Sequence, residues 1–169
     1  MHKNTSEHLN CSLSLAISAV GDPWSSLILR DLMIFGGTRR FEQLREGLGI
    51  SRNVLTERLN TLLDNEIVRK QPVDEGAKRM EYKLTRKGWE LMPMLIATHQ
   101  WCERWRPDPC NSALMFVEAE TGEEIGPVGI YSKDGKLIGP DTIRTQARSD
   151  DAKEYLERLK TPSPKKQSE

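Results

Sequence analysis

The chain has 169 residues with 25 basic and 25 acidic side chains, so its formal net charge is zero. This length suits one ordinary domain with an appendage and a real hydrophobic core, and the balanced charge excludes the strongly basic composition of a general polyanion binder. No apolar run approaches the roughly 18–20 residues that span a bilayer, and the first residues lack the apolar stretch of a signal peptide, so we expect a cytoplasmic protein.

Two helices are predicted after a polar stretch, residues 1–10, which we expect to be flexible. Apolar residues recur at helical spacing over residues 13–20, and Gly21-Asp22-Pro23 ends this first helix. Asp22 is a favourable N-cap for the next helix, because its carboxylate accepts from free amides and the following proline needs no donor. This second helix extends from Trp24 to about Phe35 and is mostly core.

The next segment has the pattern of a helix-turn-helix. Residues 41–48 are apolar at helical spacing, Gly49 breaks the pattern, and Ser51 caps a second helix. In that helix Leu55, Leu59 and Leu62 form one apolar stripe. Residues 68–73 and 80–85 then alternate with a period of two and flank a turn at 74–79, which predicts a β-hairpin. This order of elements predicts a winged helix-turn-helix domain over residues 11–107.

The rest of the chain is predicted to be a different kind of structure. A long helix from about Lys87 to Arg104 contains Pro93, which should bend it. Beyond it we expect a β-rich extension over residues 108–160, with strands near 114–118, 128–131 and 136–138, and a short helix from Ser149 or Asp150 to Lys160. Residues 161–169 are expected to be disordered. The fold class is therefore α+β, mainly α.

The excess of positive charge lies on the predicted winged domain. Residues 37–107 hold 14 basic and 10 acidic side chains, an excess of 4, whereas the flanking segments are slightly acidic. A helix in the major groove reads bases with its first residues and its solvent face. We therefore predict that Arg52 and Asn53 contact base edges or the nearest phosphates, and that Thr56 contacts a thymine methyl group or a phosphate. The alternative for these side chains is a merely solvated face.

Other basic and polar side chains are predicted to contact the DNA backbone. Arg39 and Arg40 precede the first helix of the motif, Ser51 adds a hydroxyl and helix amides, and Lys78 and Arg79 lie at the tip of the wing. Arg40 is as well suited to pair with Glu42 or Glu46. Two acidic residues next to Lys78 and Arg79 dilute the charge of the wing.

Five sequence blocks occur in a fixed order and spacing: Cys11, GDPWSSLILRDL (21–32), TRRFEQL (38–44), ISRNVLTERL (50–59) and MEYKLTRKG (80–88). Together they resemble the HxlR-type winged helix-turn-helix regulators of bacteria. The resemblance extends from Cys11 to Trp105 and implies a small cytoplasmic transcription factor that binds DNA as a homodimer, pairing through its first and last helices. Leu13, Ile17 and the two tryptophans Trp101 and Trp105 are the corresponding interface candidates; packing within one chain is the alternative.

Three widely spaced cysteines fit a reducing compartment better than a disulfide framework. The resemblance implies a sensor for electrophiles or oxidants near the N-terminus, and Cys11 matches its position at the start of a helix, where the thiol pKa falls. An ordinary structural cysteine is equally consistent with the sequence.

The sequence has no catalytic, cofactor or metal-ligand motif. We therefore expect a non-enzymatic regulator that binds double-stranded DNA and responds to an oxidant or a small molecule. The alternative is a winged-helix module for protein or RNA binding.

Overall fold

A computed structural model describes residues 12–105 and 114–160 of the chain, with side chains as far as residue 157. It divides into two compact units, one ending at Val128 and the other beginning at Gly129. The predicted boundary between residues 107 and 108 falls in the gap and stays a prediction. In the described ranges no single helix has the length and apolar character to cross a bilayer, although the first two helices, bent by 75°, pass that test together on length and composition.

The first two helices confirm the predicted break between them. Helix α1 spans Ser12–Val20 and α2 spans Pro23–Ile34. Asp22 caps α2, because one of its carboxylate oxygens accepts from the backbone amides of Trp24 (2.9 Å) and Ser25 (3.2 Å). The proline at the first position of α2 lacks only a donor that the helix would not use.

The helix-turn-helix is also confirmed. Helix α3 spans Phe41–Leu48 and α4 spans Arg52–Asp64. Gly49 ends α3 with φ of 65°, a left-handed conformation that favours glycine. The hydroxyl of Ser51 accepts from the amide of Val54 at 3.3 Å and caps α4.

The wing belongs to a three-stranded antiparallel sheet rather than to an isolated hairpin. Strands β2 (Val68–Pro72) and β3 (Met80–Leu84) form the predicted hairpin, and β1 (Thr38–Arg40) pairs with the other edge of β3. The register places Arg39 opposite Tyr82. Sequence reasoning missed β1 because three polar residues are too few to show a period of two.

The predicted long helix after the wing is wrong in one respect. The structure has a short helix, α5 (Arg86–Trp89), and a separate helix, α6 (Met92–Trp105). Pro93 therefore does not bend a continuous helix. It occupies the first turn of α6, where its missing N–H leaves no intrahelical bond unmade.

One hydrophobic core joins the helices to the sheet. The predicted stripe of α4 lies at its centre, with Leu55, Leu59 and Leu62 almost wholly inaccessible to solvent. Residues from α2 pack against this stripe, as do strand residues beyond α4. The core thus fixes which face of α4 points outward. Its fully buried members are Ile28, Leu29, Leu32, Leu44, Leu55, Leu59, Leu62 and Val68.

The C-terminal segments contain less β-structure than predicted. Val117 forms only an isolated bridge with Glu124, and strands β4 (Ile130–Tyr131) and β5 (Leu137–Ile138) are two residues each. A short 3₁₀ turn over Pro140–Thr142 was not predicted. Helix α7 (Asp150–Lys160) is confirmed. The expected disorder of residues 161–169 lies outside the described residues.

Candidate nucleic-acid interface

The polar face of α4 points to solvent. Arg52, Asn53 and Thr56 are all exposed, as are Glu57 and Asn60 farther along the helix. The opposite face is buried in the core, so rotation of α4 about its axis would expose leucines to water. The sequence therefore predicted correctly which face is available to a ligand.

Arg52 is held by an acidic side chain from the preceding helix. Its Nη2 atom donates to Oε1 of Glu42 at 2.6 Å, and its guanidinium lies 5.1 Å from the centre of the Phe41 ring. The other oxygen of Glu42 accepts from Nε of Arg45 at 2.7 Å. The hydrogen bond from Arg45, together with the contacts of Arg52, holds the pKa of Glu42 below its usual value. Sequence reasoning did not identify Glu42 as part of this site.

Arg39 and Arg40 lie on strand β1, next to the start of α3. The guanidinium of Arg39 stacks 3.3 Å from the centre of the Phe35 ring, a cation–π contact that restricts its position. The backbone amide of Arg40 donates to the side chain of Gln43 at 2.9 Å. In the described structure the acidic residues of α3 pair with other arginines than Arg40. Glu42 lies 2.7 Å from Arg45 and 2.6 Å from Arg52, and Glu46 lies 3.6 Å from Arg45.

The wing presents two exposed cations, Lys78 and Arg79. The carbonyl of Arg79 accepts from the amide of Val73 at 3.0 Å, which extends the pairing of the hairpin beyond the assigned strands. Gly76 turns the loop with φ of 77°. The cations therefore project from a hydrogen-bonded loop on the same unit as α4.

A second ion pair connects α4 to the start of α2. The guanidinium of Arg58 lies 3.0 Å from Asp22, the N-cap of α2, and 3.0 Å from Glu57. Glu57 is therefore paired within its own helix, which reduces the repulsion between its carboxylate and a nearby phosphate. Asp22 thus serves two roles, since it caps α2 and pairs with the exposed helix.

The profile of the HxlR-like helix-turn-helix family matches residues 19–109, which is more than half of the chain. The chain belongs to this family. The match includes the helix-turn-helix, the wing and α6, and it confirms the resemblance predicted from the sequence. The chain is therefore an HxlR-like regulator with a winged helix-turn-helix fold.

Relatives of this regulator have names of the same kind. Mb3122 of Mycobacterium bovis, an uncharacterised HTH-type transcriptional regulator, is 34% identical over 127 residues, which cover 75% of this chain and 79% of the relative. The HTH-type transcriptional regulator YodB of Bacillus subtilis is 35% identical over 91 residues, which cover 53% of this chain and 80% of YodB.

Solved structures extend the likeness beyond the winged domain. The crystal structure of PA1607, provisionally named a transcription factor, matches 86% of this chain and 99% of its own with a TM-score of 0.76 and 30% identity. PA1374 from Pseudomonas aeruginosa matches 86% of this chain and 100% of its own, with a TM-score of 0.60 and 28% identity. The reduced form of YodB covers 59% of this chain and 99% of its own, with a TM-score of 0.51 and 33% identity.

Helices α1 and α6 expose large apolar side chains. Leu13 and Ile17 on α1 are 66% and 56% exposed, and Trp101 and Trp105 on α6 are 59% and 67% exposed. Packing within the described part of the chain therefore leaves more than half of each side chain accessible. Scattered apolar residues are ordinary on a surface, but two tryptophans one turn apart form a concentrated patch.

The described residues include one of the three cysteines. Cys11 lies outside the described residues, as does Cys110. Cys102 on α6 is partly buried and is a free thiol. His99, three residues before it, lies 3.2 Å from Glu103 and edge-on to the ring of Phe116. The histidine is thus a packing residue of α6, with one ring nitrogen beside a carboxylate.

Proposed function

We propose that this HxlR-like regulator binds duplex DNA as a homodimer, with α4 of each copy in the major groove. The observation that carries the proposal is the outward polar face of α4 above a buried leucine stripe. A major groove about 12 Å wide admits one helix, and the start of that helix comes nearest to the base edges.

Arg52 and Asn53 are the proposed base readers, with Thr56 beside them. Asparagine suits adenine and arginine suits guanine, each through paired hydrogen bonds worth about 1–3 kcal/mol of discrimination. One edge of the Arg52 guanidinium is occupied by Glu42, and its remaining donors are the groups proposed to meet a base or a phosphate. Thr56 offers a methyl group and a hydroxyl to a thymine or a phosphate.

The phosphate contacts are assigned to side chains around this helix. Ser51 lies at the N-terminus of α4, where backbone amides favour an anion. Arg39 and Arg40 on β1 flank the start of α3, and Lys78 and Arg79 extend from the wing. These contacts would fix the register on DNA without reading its sequence.

Dimerisation through α1 and α6 is supported by their exposed apolar side chains. A two-fold dimer would bury these side chains and place two copies of α4 about 34 Å apart, or a multiple of it, along the DNA. A palindromic operator is the consequence.

Two variants separate base reading from phosphate binding. Arg52→Ala should reduce the ratio of operator to random-sequence affinity. Lys78→Ala should lower affinity for both duplexes and flatten the salt dependence by about one unit. The measurement is fluorescence anisotropy against an operator selected from random duplexes, over a range of salt concentrations. Equal affinities and salt dependences of both variants and the parent protein contradict these residue roles. Binding to RNA or to a protein, without binding to duplex DNA, favours the alternative of a winged-helix interaction module.

Redox control through Cys11 is the proposed regulation. It is supported by the predicted position of this cysteine at the start of α1, where helix amides lower a thiol pKa. Oxidation by peroxide should change operator affinity of the parent protein and leave that of Cys11→Ser unchanged. An identical response of the two proteins assigns Cys11 a structural role.

A further inference from the structure

A cavity of about 230 Å³ lies between α2 and α6 in the first unit of the chain. Its walls are mainly apolar: Leu27 and Met33 from α2, Met92 and Leu95 from α6, and Phe116 from the segment after α6. The winged-helix function proposed above does not use this space.

The chain itself covers one side of this cavity. Residues 114 and 116 contribute to the lining, and Phe116 meets the ring of His99 edge-on with 5.1 Å between centres. Farther along the same segment, Gln100 donates to the carbonyl of Gly126 (3.1 Å) and accepts from the amide of Val128 (2.8 Å). These contacts fasten the segment to α6, so a helix from a second protein would have to displace it. The remaining space has the size of a small molecule.

The polar groups in the walls already have partners. The hydroxyls of Ser26 and Thr98 donate to backbone carbonyls at 2.7 and 2.8 Å. Arg30 forms an ion pair with Asp31 at 2.7 Å, and Nε2 of His99 lies 3.2 Å from the carboxylate of Glu103. A charged ligand would lose its hydration and compete with these pairs, whereas a neutral apolar ligand would lose little. The chemistry of the walls thus selects against charge.

We infer that this cavity binds a neutral aromatic molecule of one or two fused rings. An apolar cavity of about 150 Å³ is sufficient for benzene, so this larger cavity accommodates a bicyclic compound. The edges of His99 and Phe116 suit an aromatic ring, and the flexible thioethers of Met33 and Met92 adapt to its outline. Because α2 also packs against α4, an occupant of this cavity lies next to a helix that supports the proposed DNA reader.

The inference can be tested without DNA, so its outcome is independent of the proposed function. The experiment is isothermal titration of the full chain with 2-naphthol, which should show saturable binding of one molecule per chain. Thr98→Trp places a large side chain in the cavity and should weaken binding at least about tenfold. Met94→Trp, one turn earlier on α6 and outside the lining, is the matched control and should bind within about twofold of the parent. Leu114→Trp is a second filling variant on the covering segment.

Three results would overturn the inference. The first is the absence of saturable binding, and the second is equal binding by the Thr98 and Met94 variants when both are folded by circular dichroism. The third is tighter binding of naphthalene-2-sulfonate than of 2-naphthol, because it would show that charge is favoured. If 2-naphthol does not bind and sedimentation shows that Thr98→Trp alone dissociates a dimer, the cavity is an interface between two copies instead.

Discussion

Glu42 and Arg52 join the two helices of the helix-turn-helix at the surface proposed to face DNA. Nη2 of Arg52 donates to Oε1 of Glu42 at 2.6 Å, although ten residues separate them in sequence. Both side chains are about half exposed or more, so solvent screens the pair and it contributes little to stability. We expect its larger effect on the proposed DNA recognition, because the same carboxylate orients the arginine and would repel a nearby phosphate.

Replacing Glu42 with glutamine should therefore strengthen binding to random-sequence DNA. The change removes one negative charge beside the proposed phosphate contacts and weakens the hold on Arg52, so we expect a rise of roughly three- to tenfold at low salt. Anisotropy titrations with a scrambled duplex measure it. Glu46→Gln is the control. It removes the same charge from α3, but the ion pair of Glu46 is with Nη2 of Arg45 at 3.6 Å and does not involve Arg52. An equal rise in DNA affinity for the two variants would show that Glu42 has no effect beyond its charge.

The same residue predicts a difference in acid stability. The hydrogen bond from Arg45 and, after it, that from Arg52 hold the pKa of Glu42 below its ordinary value of 4.5. A lowered pKa means that the folded state favours the charged form, so the stabilisation is complete above pH 4.5 or so and is lost as the pH falls through the folded value. The free energy of unfolding of the parent protein should thus exceed that of Glu42→Gln above about pH 4.5, and this difference should shrink as the pH falls below that value. Urea unfolding from pH 7 to pH 3 tests this, and a constant difference across that range contradicts it.

Asp22 offers a way to separate helix capping from ion pairing. Asp22→Asn keeps an oxygen for the amides of Trp24 and Ser25 but loses the charge that faces Arg58 at 3.0 Å. We expect it to cost less than about 1 kcal/mol, whereas Asp22→Ala should cost about 1–2 kcal/mol because the N-cap is also lost. Urea unfolding of the three proteins gives both differences. Equal losses from the two variants would show that the cap contributes nothing.

The helices were predictable because their signals are local. The Asp22 cap, the left-handed Gly49 and the leucine stripe of α4 are each visible within one or two turns of sequence. The break between α5 and α6 was not visible, since no glycine marks residues 90 and 91 and Pro93 fits either a kink or a first turn. Strand β1 depends on pairing with β3, more than 40 residues later. Local patterns cannot report such a partner.

In the candidate site, the exposed positions were predictable from the sequence, but the contacts between side chains were not. The exposed residues of α4 follow from the phase of its buried stripe, so Asn53 and Thr56 could be placed outward by counting at 100° per residue. The contacts that position the arginines could not be placed, because Glu42 reaches Arg52 across a turn and Phe35 reaches Arg39 across two glycines. Only the three-dimensional path of the chain brings these pairs together.

Gly88 predicts a large effect from a small substitution. A Cβ at this position would collide with the carbonyl oxygen of Ile67 and approach Leu84 to 2.9 Å. The oxygen cannot move easily, because it already accepts from the amide of Thr85 at 3.1 Å. Gly88→Ala should therefore lower the free energy of unfolding by about 2 kcal/mol or more, despite the better helix propensity of alanine. Gly126→Ala, with nothing within 4 Å of the added atom, is the control, and an equal loss there would contradict the steric explanation.

The exposed tryptophans of α6 predict how the dimer should respond to mutation. Trp101 is 59% exposed in the described chain, and a buried tryptophan at an interface contributes about 2 kcal/mol or more to association. Trp101→Lys should thus weaken dimerisation at least about tenfold, with little change in unfolding midpoint at protein concentrations where both proteins are monomeric. Sedimentation over a concentration series measures the dissociation constant, and Met80→Lys, an exposed apolar residue of the wing, is the control. A monomeric parent protein at micromolar concentration, or equal dissociation constants for Trp101→Lys and the parent, would show that α6 is not the interface.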